Sequence, residues 1–518
     1  MESLYLINMP IKNKKKPLKT EGRDQTHSSY PTNLPRLFLL IGGFFGLVML
    51  VLTPPFQVPD EHDHFFRAVM IASGQFVARS YPFPEELKKK VPQKYLQGKG
   101  GVVPVSIPYT TRKVNHKLPF HSKNKQKFSD LKKMLNLPLY MKGMPEVFIN
   151  TSASGYAPPL YLPAVCVIAV GKALNLSPLW LMYLGRLANL MVFLSMIYWA
   201  LKITPTGKTL FFLLALMPMT LFLAPSLSID GLTIASSFLL TATLLALAHN
   251  DQQPVNLKAW FIIPITLTVL ALGKIVYCPL ILLIFLSPQA LIGQERSRLY
   301  LLICSLTLAG LSFLLWRWLN GIANPLKTAN IPFDYTCFQF SDKLLPLLDS
   351  NKQLQLLLHH PETILTIFSQ TLLTQSKNYI STFTGVLGWL DTYLPAWIYV
   401  SYPLVLILSA LQSKSTSKTP LTEKTLLILV WALCTGTIFL GFYLLSTPVG
   451  NAIIGCVQGR YFIPIALPLL LAMGFNYHLP AKLRQLTLTV NDRINPWPGL
   501  YSSLVLLTTT YTLWVRYY

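Results

Sequence analysis

Long apolar stretches recur along the whole chain, and two long polar stretches interrupt them. Runs of about 17 or more apolar residues are typical of helices that cross a membrane. The pattern therefore predicts an all-α polytopic integral membrane protein. The candidate membrane segments are 35–53, 157–174, 178–201, 209–225, 229–249, 258–273, 275–291, 299–318, 393–412, 424–446, 461–477 and 500–516.

The basic residues of the short loops predict how these segments are oriented. Lysine and arginine concentrate in short cytoplasmic loops, and they do so throughout this chain only if one segment before Lys202 does not cross. Segment 157–174 is the candidate, because the prolines near its start cannot donate backbone hydrogen bonds. We expect about eleven transmembrane helices plus one broken or re-entrant helix, with twelve full spans as the alternative. The polar stretches 54–156 and 319–392 are then two long outer-face loops, the first with interfacial helices.

Composition supports this class of protein. Hydrophobic residues make up 52% of the 518 residues and charged residues 12%, whereas soluble domains are about 25% charged. The net charge of +24 lies mainly in the N-terminal arm, the first polar stretch and short loops, so it does not indicate nucleic-acid binding. Residues 1–34 are polar and basic, and no cleavage site follows the first apolar segment, which predicts a disordered cytoplasmic arm.

The cysteines show no metal-ligand spacing. Four of them lie in apolar segments, where a thiol behaves as a small hydrophobic group. Cys337 and Cys456 fall in the predicted outer loops, so a disulfide between these two is the alternative that the sequence leaves open. The cysteines are Cys166, Cys278, Cys304, Cys337, Cys434 and Cys456.

The stretch PPFQVPDEHDHFFRA, residues 54–68, gathers charged residues directly after the first apolar segment. A helix that begins near Pro59 has acidic residues in its first turn, where the helix dipole favours them. Asp60, His64 and Arg67 then lie on one face, because they are four and three residues apart. One interpretation is a capped interfacial helix with solvated charges. The other is a site in which a carboxylate acts as a general base while His64 and Arg67 bind an anionic substrate.

Further polar residues are predicted on the same outer side or inside an apolar segment. They are Arg186, Asn189, Asp230, Lys274, Asp391 and Arg460. Ionisable groups within membrane segments are candidates for functional sites. Each also has a structural interpretation: Arg186 reaching towards the interface, a helix cap at Asp230, a helix end at Lys274, and an ion pair between Asp391 and Arg460. The basic loop 54–156 suits phosphate or anionic lipid, and equally a solvated charge field.

Six motifs, in this order, resemble one family. They are PPFQVPDEHDHFFRA (54–68), GYAPPLYLPA (155–164), LGRLANL (184–190), MPMTLFLAPSLSIDGL (217–232), GVLGWLDTYLP (385–395) and VQGRYFIP (457–464). Together they resemble the bacterial polytopic membrane family called domain of unknown function 2142, over about residues 37–475. That family is grouped with the GT-C glycosyltransferases, which use lipid-phosphate-linked sugars. The resemblance implies a GT-C-like membrane domain at 35–518.

The resemblance also implies roles for particular residues. GT-C enzymes carry a catalytic acidic motif just after the first helix, a position held here by Asp60 and Glu61, and a second acidic position that Asp230 matches. The proline-containing segment that follows the motif in this family corresponds to Tyr156–Pro163. The chain departs from the family pattern at His62 and Asp63, where a small residue or proline is common. The added charge leaves open a divalent metal, Mg or Mn, bound at Asp60 and Asp230.

The function implied is an inverting GT-C transferase of hexosyl or pentosyl groups. It would move a sugar from a polyprenyl-phosphate donor to an envelope glycan, lipid or protein acceptor at the outer face of a bacterial inner membrane. The alternatives are a flippase or exporter of lipid-linked glycans and a non-catalytic component of a polysaccharide assembly machine. The predicted substrate-binding residues are Gln57, His64, Arg67, Tyr156, Arg186, Asn189, Asp230, Lys274, Tyr277, Trp389, Asp391, Gln458, Arg460 and Tyr461.

Overall fold

The computed structural model describes most of the chain. The described residues are 34–83, 98–115, 117–141, 143, 145–249, 255–286, 296–323, 331, 348–412, 420–474 and 496–518. The predictions for the basic N-terminal arm and for a disulfide at Cys337 concern residues outside these ranges. Cys456 has a free thiol.

Helices dominate the described residues. The α-helices are, in chain order, α1 (Leu34–Leu52), α2 (Glu61–Ala72), α3 (Ser106–Asn115), α4 (Phe128–Leu135), α5 (Leu162–Ala173), α6 (Pro178–Ile203), α7 (Lys208–Ala215), α8 (Pro218–Leu223), α9 (Asp230–His249), α10 (Leu257–Lys274), α11 (Ser297–Gly321), α12 (Ser350–His359), α13 (Thr363–Thr384), α14 (Ala396–Gln412), α15 (Pro420–Ser446), α16 (Ala466–Met473) and α17 (Trp497–Tyr517). The 3-10 helices are Ser152–Gly155, Pro158–Tyr161, Ile275–Leu286 and Gly459–Ile465.

Two small sheets correct the prediction of an all-α fold. An antiparallel sheet in the order β1 (Arg79–Ser80), β2 (Lys99–Pro104), β3 (Glu146–Asn150) lies in the first polar stretch. A second sheet pairs β4 (Val386–Leu387) with β5 (Thr392–Tyr393). The first sheet was missed because the partners of β2 in β3 are distant: Gly100 pairs with Asn150 and Pro104 with Glu146. The second was missed because β4 and β5 have only two residues each.

Six helices in the described part of the chain are long and apolar enough to cross a membrane. They are Leu34–Leu52, Pro178–Ile203, Asp230–His249, Leu257–Leu286, Ser297–Gly321 and Leu421–Ser446, and the shorter apolar helices are Pro158–Ala173, Ala396–Gln412 and Gly459–Met473. The chain is thus a membrane protein with several apolar helices, and the predicted count of eleven is not confirmed. Predicted segment 258–273 and the described part of 275–291 form the single helical stretch Leu257–Leu286, which changes from α to 3-10 after Lys274.

Prolines divide two of the predicted segments. Segment 157–174 begins as the 3-10 helix Pro158–Tyr161 and continues as α5, whose 12 residues reach about 18 Å and so fall short of a bilayer core. Segment 209–225 is split into α7 and α8 at Pro218, which has no backbone N–H to continue the first helix. Both α7 and α8 are buried in the helix bundle.

Small residues let the first helix approach its neighbour closely. A side chain at Gly46 of α1 would meet Leu190 of α6, and one at Gly42 would meet Leu194. Small residues at helix contacts are typical of membrane bundles, in which dispersion forces replace the hydrophobic effect. Helix α9 lies at the centre, and 83% of the residues in its most apolar stretch are buried.

Most of the predicted site residues gather at one end of the bundle, which we call the polar end. Leu37 and Ile41, near the start of α1, adjoin Gly499 near the start of α17, so these helices run parallel and finish together at this end. The described residues of 54–156 form a cap over it. The cap has its own hydrophobic core, in which Phe65 and Phe66 of α2 and Ile149 of β3 pack in a cluster that includes Met182 of α6.

Candidate active site

Asp60 precedes α2 and presents an exposed carboxylate between buried neighbours. Its φ of 61° and ψ of 4° are left-handed, and its side chain makes no capping hydrogen bond to the described residues of α2. A left-handed residue costs about 1–2 kcal/mol, less for Asp than for bulkier side chains. The carboxylate is therefore held away from the helix end that it would otherwise cap, and faces open space.

Glu61, the next residue, is fully buried and paired with Arg186 of α6. Arg186 donates from Nε to Oε1 at 2.8 Å and from Nη2 to Oε2 at 2.5 Å. Its remaining N–H groups bind the carbonyl oxygens at the end of α1, those of Leu50, Thr53 and Pro54, at 3.1, 2.8 and 3.2 Å. A guanidinium has five N–H donors, and all five are used here. Glu61 and Arg186 thus join α1, α2 and α6 rather than face a substrate.

The turn before α2 is strained at two positions, and hydrogen bonds from distant residues hold it. Phe56 has φ 63° and Asp60 has φ 61°. The Phe56 N–H donates to Oε2 of Glu61 at 3.1 Å, and its carbonyl oxygen accepts from Nε1 of Trp389 at 3.1 Å. Strain that the surroundings maintain is concentrated at functional sites, which makes the exposed Asp60 the leading candidate.

Asp230, the first residue of α9, forms an ion-paired cluster with two cations. Lys274, at the end of α10, donates to Oδ1 of Asp230, and Nη1 of Arg460 lies 3.3 Å from Oδ2. Both cations lie over the ring of Tyr461, Lys274 at 4.7 Å and Arg460 at 5.3 Å from the centroid. Because two cations meet one carboxylate, the cluster has a formal charge of about +1 to offer an anion.

His64 lies between Asp60 and this cluster. Its Nδ1 is 2.6 Å from the hydroxyl oxygen of Tyr161, and its ring stacks on that of Tyr156 with centroids 5.5 Å apart. Burial lowers the pKa of His64 to about 4, although the charges of Asp60 and Asp230 act in the opposite direction. The imidazole is therefore neutral at physiological pH. Its electrostatic neighbours also include Lys274 and Arg460, so His64 senses both Asp60 and the ion-paired cluster at Asp230.

The donor set does not fit a divalent metal. Both oxygens of Asp230 are engaged by cations, which a metal would have to displace against charge repulsion. Among the described residues there is no group of three or more His, Cys, Asp or Glu side chains that could hold a metal ion. We therefore assign no step of the chemistry to a metal.

A family model described as "predicted membrane protein (DUF2142)" matches residues 43–469. The chain belongs to this family. Every residue of the site described above lies within the matched range. Comparisons with curated proteins and with solved structures found no match.

Asp63 fastens α2 to the rest of the cap, and His62 contacts a residue of the second polar stretch. Asp63 Oδ2 accepts from the hydroxyl of Ser152 at 2.5 Å, and its carbonyl oxygen accepts from the hydroxyl of Thr151 at 3.0 Å. The ring of His62 lies 5.8 Å from that of Trp389. These contacts give the extra charge a structural role that does not involve a metal.

Arg67 was predicted to bind substrate, but its contacts are with the protein backbone. Nη2 donates to the carbonyl oxygens of Phe76 at 2.6 Å and Tyr156 at 3.3 Å, and Nη1 donates to that of Gln75 at 3.3 Å. The guanidinium lies 5.8 Å from the centroid of the Trp316 ring. Burial lowers the pKa of Arg67 to about 10. Arg67 closes the turn after α2 and holds the main chain beside Tyr156.

Asp391 and Arg460 do not form the ion pair that the sequence suggested. Arg460 pairs with Asp230, whereas Asp391 accepts from Nη2 of Arg516 at 3.1 Å and from the N–H of Phe120 at 3.0 Å. Sequence reasoning missed Arg516, which lies outside the family match. The sequence feature that could have identified Arg516 is a basic residue in the last turn of an apolar helix.

The other predicted binding residues support loops around the site. The Tyr277 hydroxyl donates to the carbonyl oxygen of Tyr461 at 2.8 Å, and Asn189 Nδ2 donates to that of Ser226 at 2.7 Å. Gln57 Nε2 donates to Oδ1 of Asn115 in α3. Gln458 immediately precedes the 3-10 helix that carries Arg460 and Tyr461.

An apolar cavity of about 340 Å³ lies next to the Arg460 segment. It is an open cavity bordered by α13, α14, α15, α16 and the 3-10 helix Gly459–Ile465, and its lining includes Tyr379, Phe383, Trp431 and Phe462. Phe462 and Arg460 belong to the same 3-10 helix, so this helix contributes to both the cavity and the cationic cluster. Such a cavity suits a hydrocarbon chain better than a polar ligand.

Proposed function

We propose that this DUF2142 protein is a GT-C-type glycosyltransferase that takes its sugar from a polyprenyl-phosphate donor. The observation that carries the proposal is the exposed carboxylate of Asp60, on a strained backbone and within electrostatic range of Arg460, together with the Lys274 and Arg460 cations that meet at Asp230. The 3-10 helix that carries Arg460 also lines an apolar cavity. We place the polar end at the outer face of a bacterial inner membrane, with the N-terminus inside. The acceptor is an envelope glycan, lipid or protein.

In the proposed reaction, Asp60 acts as the general base. Its carboxylate accepts the proton of an acceptor hydroxyl, and the hydroxyl oxygen bonds to the anomeric carbon with inversion. The bond from that carbon to the donor phosphate breaks, and the electron pair stays on the lipid phosphate. Asp60 is preferred over Glu61 because both oxygens of Glu61 are hydrogen-bonded in a buried ion pair.

The leaving phosphate would be stabilised by Lys274 and Arg460. Charge-assisted hydrogen bonds to phosphate are about twice as strong as neutral ones, and developing charge is stabilised more strongly in a site shielded from water. Arg460 retains donor capacity, since its buried Nε has no partner among the described residues. Asp230 holds the two cations together before the donor arrives.

The isoprenoid chain of the donor would occupy the apolar cavity beside Phe462. A chain in that cavity places its phosphate end toward Arg460 and leaves the sugar between the cations and Asp60. His64, neutral and fixed by Tyr161, would face the sugar as an uncharged hydrogen-bonding group. A flippase would be favoured by polar residues dispersed along the membrane spans. The charged cluster of this site lies at one end of the bundle, which favours a transferase.

The decisive experiment compares transfer by Asp60→Asn and wild-type protein. Purified protein in lipid nanodiscs is given a radiolabelled polyprenyl-phosphate sugar and an envelope extract, and label in the acceptor is counted. Loss of a general base lowers rates by about 10²–10⁴-fold, so we expect a loss of this size. Glu146→Gln, an exposed carboxylate at the edge of the cap, is the matched control and should keep wild-type transfer.

Two results would contradict the proposal. Wild-type transfer by Asp60→Asn would remove Asp60 as the base. Movement of labelled lipid between leaflets without transfer to any acceptor would instead support a flippase. Both readouts come from the same reconstituted preparation, so they separate the two functions directly.

A further inference from the structure

A second cavity, also of about 340 Å³, lies in the cap and is distinct from the Asp60 site. It is formed by α3, by α4 and by the segment that joins them. Most of its lining is polar or charged, in contrast to the apolar cavity beside Arg460. The lining side chains used below are Tyr109, Arg112, Lys113, Gln126, Lys127 and Asp130.

Positive charge is in excess in this cavity. Lys125 also lines it, so three lysines and one arginine face a single carboxylate, that of Asp130. Lys113 Nζ lies 3.7 Å from Oδ1 of Asp130, and Lys125 donates to the carbonyl oxygen of Arg516 at 3.2 Å. Lys113 and Lys127 are exposed. An anionic group in the cavity would therefore meet cations that one carboxylate does not neutralise.

Gln126 adds a requirement that a simple anion does not meet. The residue is only 7% exposed, and its Oε1 atom has no hydrogen-bond partner in the described part of the chain. Its backbone N–H donates to the carbonyl oxygen of Tyr517 at 2.8 Å, which fixes the residue in place. A buried acceptor without a donor is unfavourable. An ionised carboxylate or a phosphodiester brings acceptors only, so the ligand that satisfies Gln126 must also carry a donor such as a hydroxyl.

The aromatic ring of Tyr109 completes a lining suited to a sugar. Tyr109 is 44% exposed and lines the same cavity as the lysines. Aromatic side chains offer an apolar face together with a polar tip, which matches a sugar ring with its C–H face and hydroxyl groups. Cations, an amide acceptor and an aromatic ring together match an anionic saccharide more closely than a bare anion.

The cavity is connected to the Asp60 site through α3. Asn115, at the end of α3, accepts a hydrogen bond from Gln57, which is three residues before Asp60. Arg112 lies one turn earlier on the same helix, so it and Asn115 share a face. An extended ligand that starts in the cavity can follow this face toward Asp60.

We propose that the cap cavity binds an anionic saccharide, a sugar chain that carries carboxylate or phosphate groups, and that this chain is the acceptor. The acceptor role rests on the proposed transferase function, whereas the binding itself does not. The cavity would hold a charged unit of the chain while a hydroxyl farther along reaches Asp60.

Binding can be measured without any donor. The full-length protein in phosphatidylcholine nanodiscs is titrated into fluorescent tetragalacturonate, an anionic tetrasaccharide, and fluorescent maltotetraose, a neutral one. We expect binding of the anionic probe that weakens with added salt, and at least tenfold weaker binding of the neutral probe. No donor or transfer step is involved in this measurement, so a failure of transfer and a failure of binding are separate results.

Variants then locate the site. Lys113→Gln/Lys127→Gln should weaken probe binding about tenfold because two charge-assisted contacts are lost. The matched control is Lys132→Gln/Lys133→Gln, which removes the same charge from exposed positions on α4 outside the cavity and should bind normally. Gln126→Met removes the amide at similar size and should weaken binding of tetragalacturonate while leaving competition by inorganic sulfate, which has no donor, unchanged.

Three outcomes would overturn the inference. Equal losses of probe binding in the Lys113→Gln/Lys127→Gln and Lys132→Gln/Lys133→Gln variants would show a diffuse field of positive charge rather than a site. Equal binding of the neutral probe would remove the anionic requirement. If the probe does not bind in neutral discs and the Lys113→Gln/Lys127→Gln variant instead loses retention of phosphatidylglycerol, the cavity holds a lipid headgroup.

Discussion

At the scale of single residues, two adjacent carboxylates have opposite environments. Asp60 is exposed in a left-handed conformation, whereas Glu61 is buried and accepts four hydrogen bonds, two of them from Arg186. The sequence left open which of the two is the base, since both follow the first helix. Our choice of Asp60 over Glu61 depends on the contact of Glu61 with Arg186, which lies 125 positions away. No local pattern contains that information.

Glu61→Gln should therefore destabilise the protein. The change leaves the buried Arg186 charge without its partner, and breaking a buried ion pair costs about 3–5 kcal/mol. We expect a clearly lower Tm for the purified protein in nanodiscs. Asp60→Asn is the matched comparison and should leave the Tm nearly unchanged, because the side chain is exposed and Asn also tolerates a left-handed conformation. If Glu61→Gln instead had a normal Tm and no transfer activity, the result would indicate that Glu61 is catalytic.

At the scale of elements, the hydrophobic pattern predicted where apolar segments lie better than it predicted the breaks within them. The helix predicted near Pro59 is observed as α2, and the prolines of segment 157–174 do break it as expected. The pattern did not separate α7 from α8, because both are buried on all sides and show no polar face at the break. The three-stranded sheet was missed because β1 and β2 lie far along the chain from β3.

The 3-10 helix Gly459–Ile465 shows how one element positions a charge. Its first residue packs directly on the backbone of α13, where the Gly459 N–H donates to the Thr382 hydroxyl at 2.6 Å. A Cβ atom at Gly459 would overlap the carbonyl oxygen of Tyr379 and the N–H of Phe383. Backbone atoms cannot rotate away, so any side chain there must push the element and the next residue, Arg460, off α13.

Gly459→Ala should therefore lower the rate of transfer. A shift of about 1 Å in a substrate-positioning group can cost about 10²-fold in rate, and we expect a loss of that order in the radiolabel assay. Gly436→Ala in α15 is the matched control, because a Cβ there meets nothing within 4 Å. Equal transfer by the two variants would show that Arg460 does not need its present position.

At the scale of the whole molecule, the cap is fastened to the helix bundle at the polar end. Arg516, near the end of α17, donates from Nη1 to the carbonyl oxygen of Asn124 at 3.0 Å and from Nη2 to that of Leu118 at 2.9 Å. Nη2 also binds Asp391 at 3.1 Å. These partners are 392, 398 and 125 positions away, so sequence reasoning could place each segment but could not pair them.

Arg516→Gln should loosen the cap while the helices stay intact. The variant loses a partly buried ion pair and the hydrogen bonds that hold residues 117–126, so we expect faster cleavage within 117–130 by a small protease in limited proteolysis. Far-UV circular dichroism should stay at the wild-type level, because the membrane helices do not depend on this contact. Arg317→Gln removes an exposed arginine from the end of α11 and is the matched control. If Arg516→Gln and the control are cleaved at the same rate, the cap is held by its hydrophobic core against α6 rather than by Arg516.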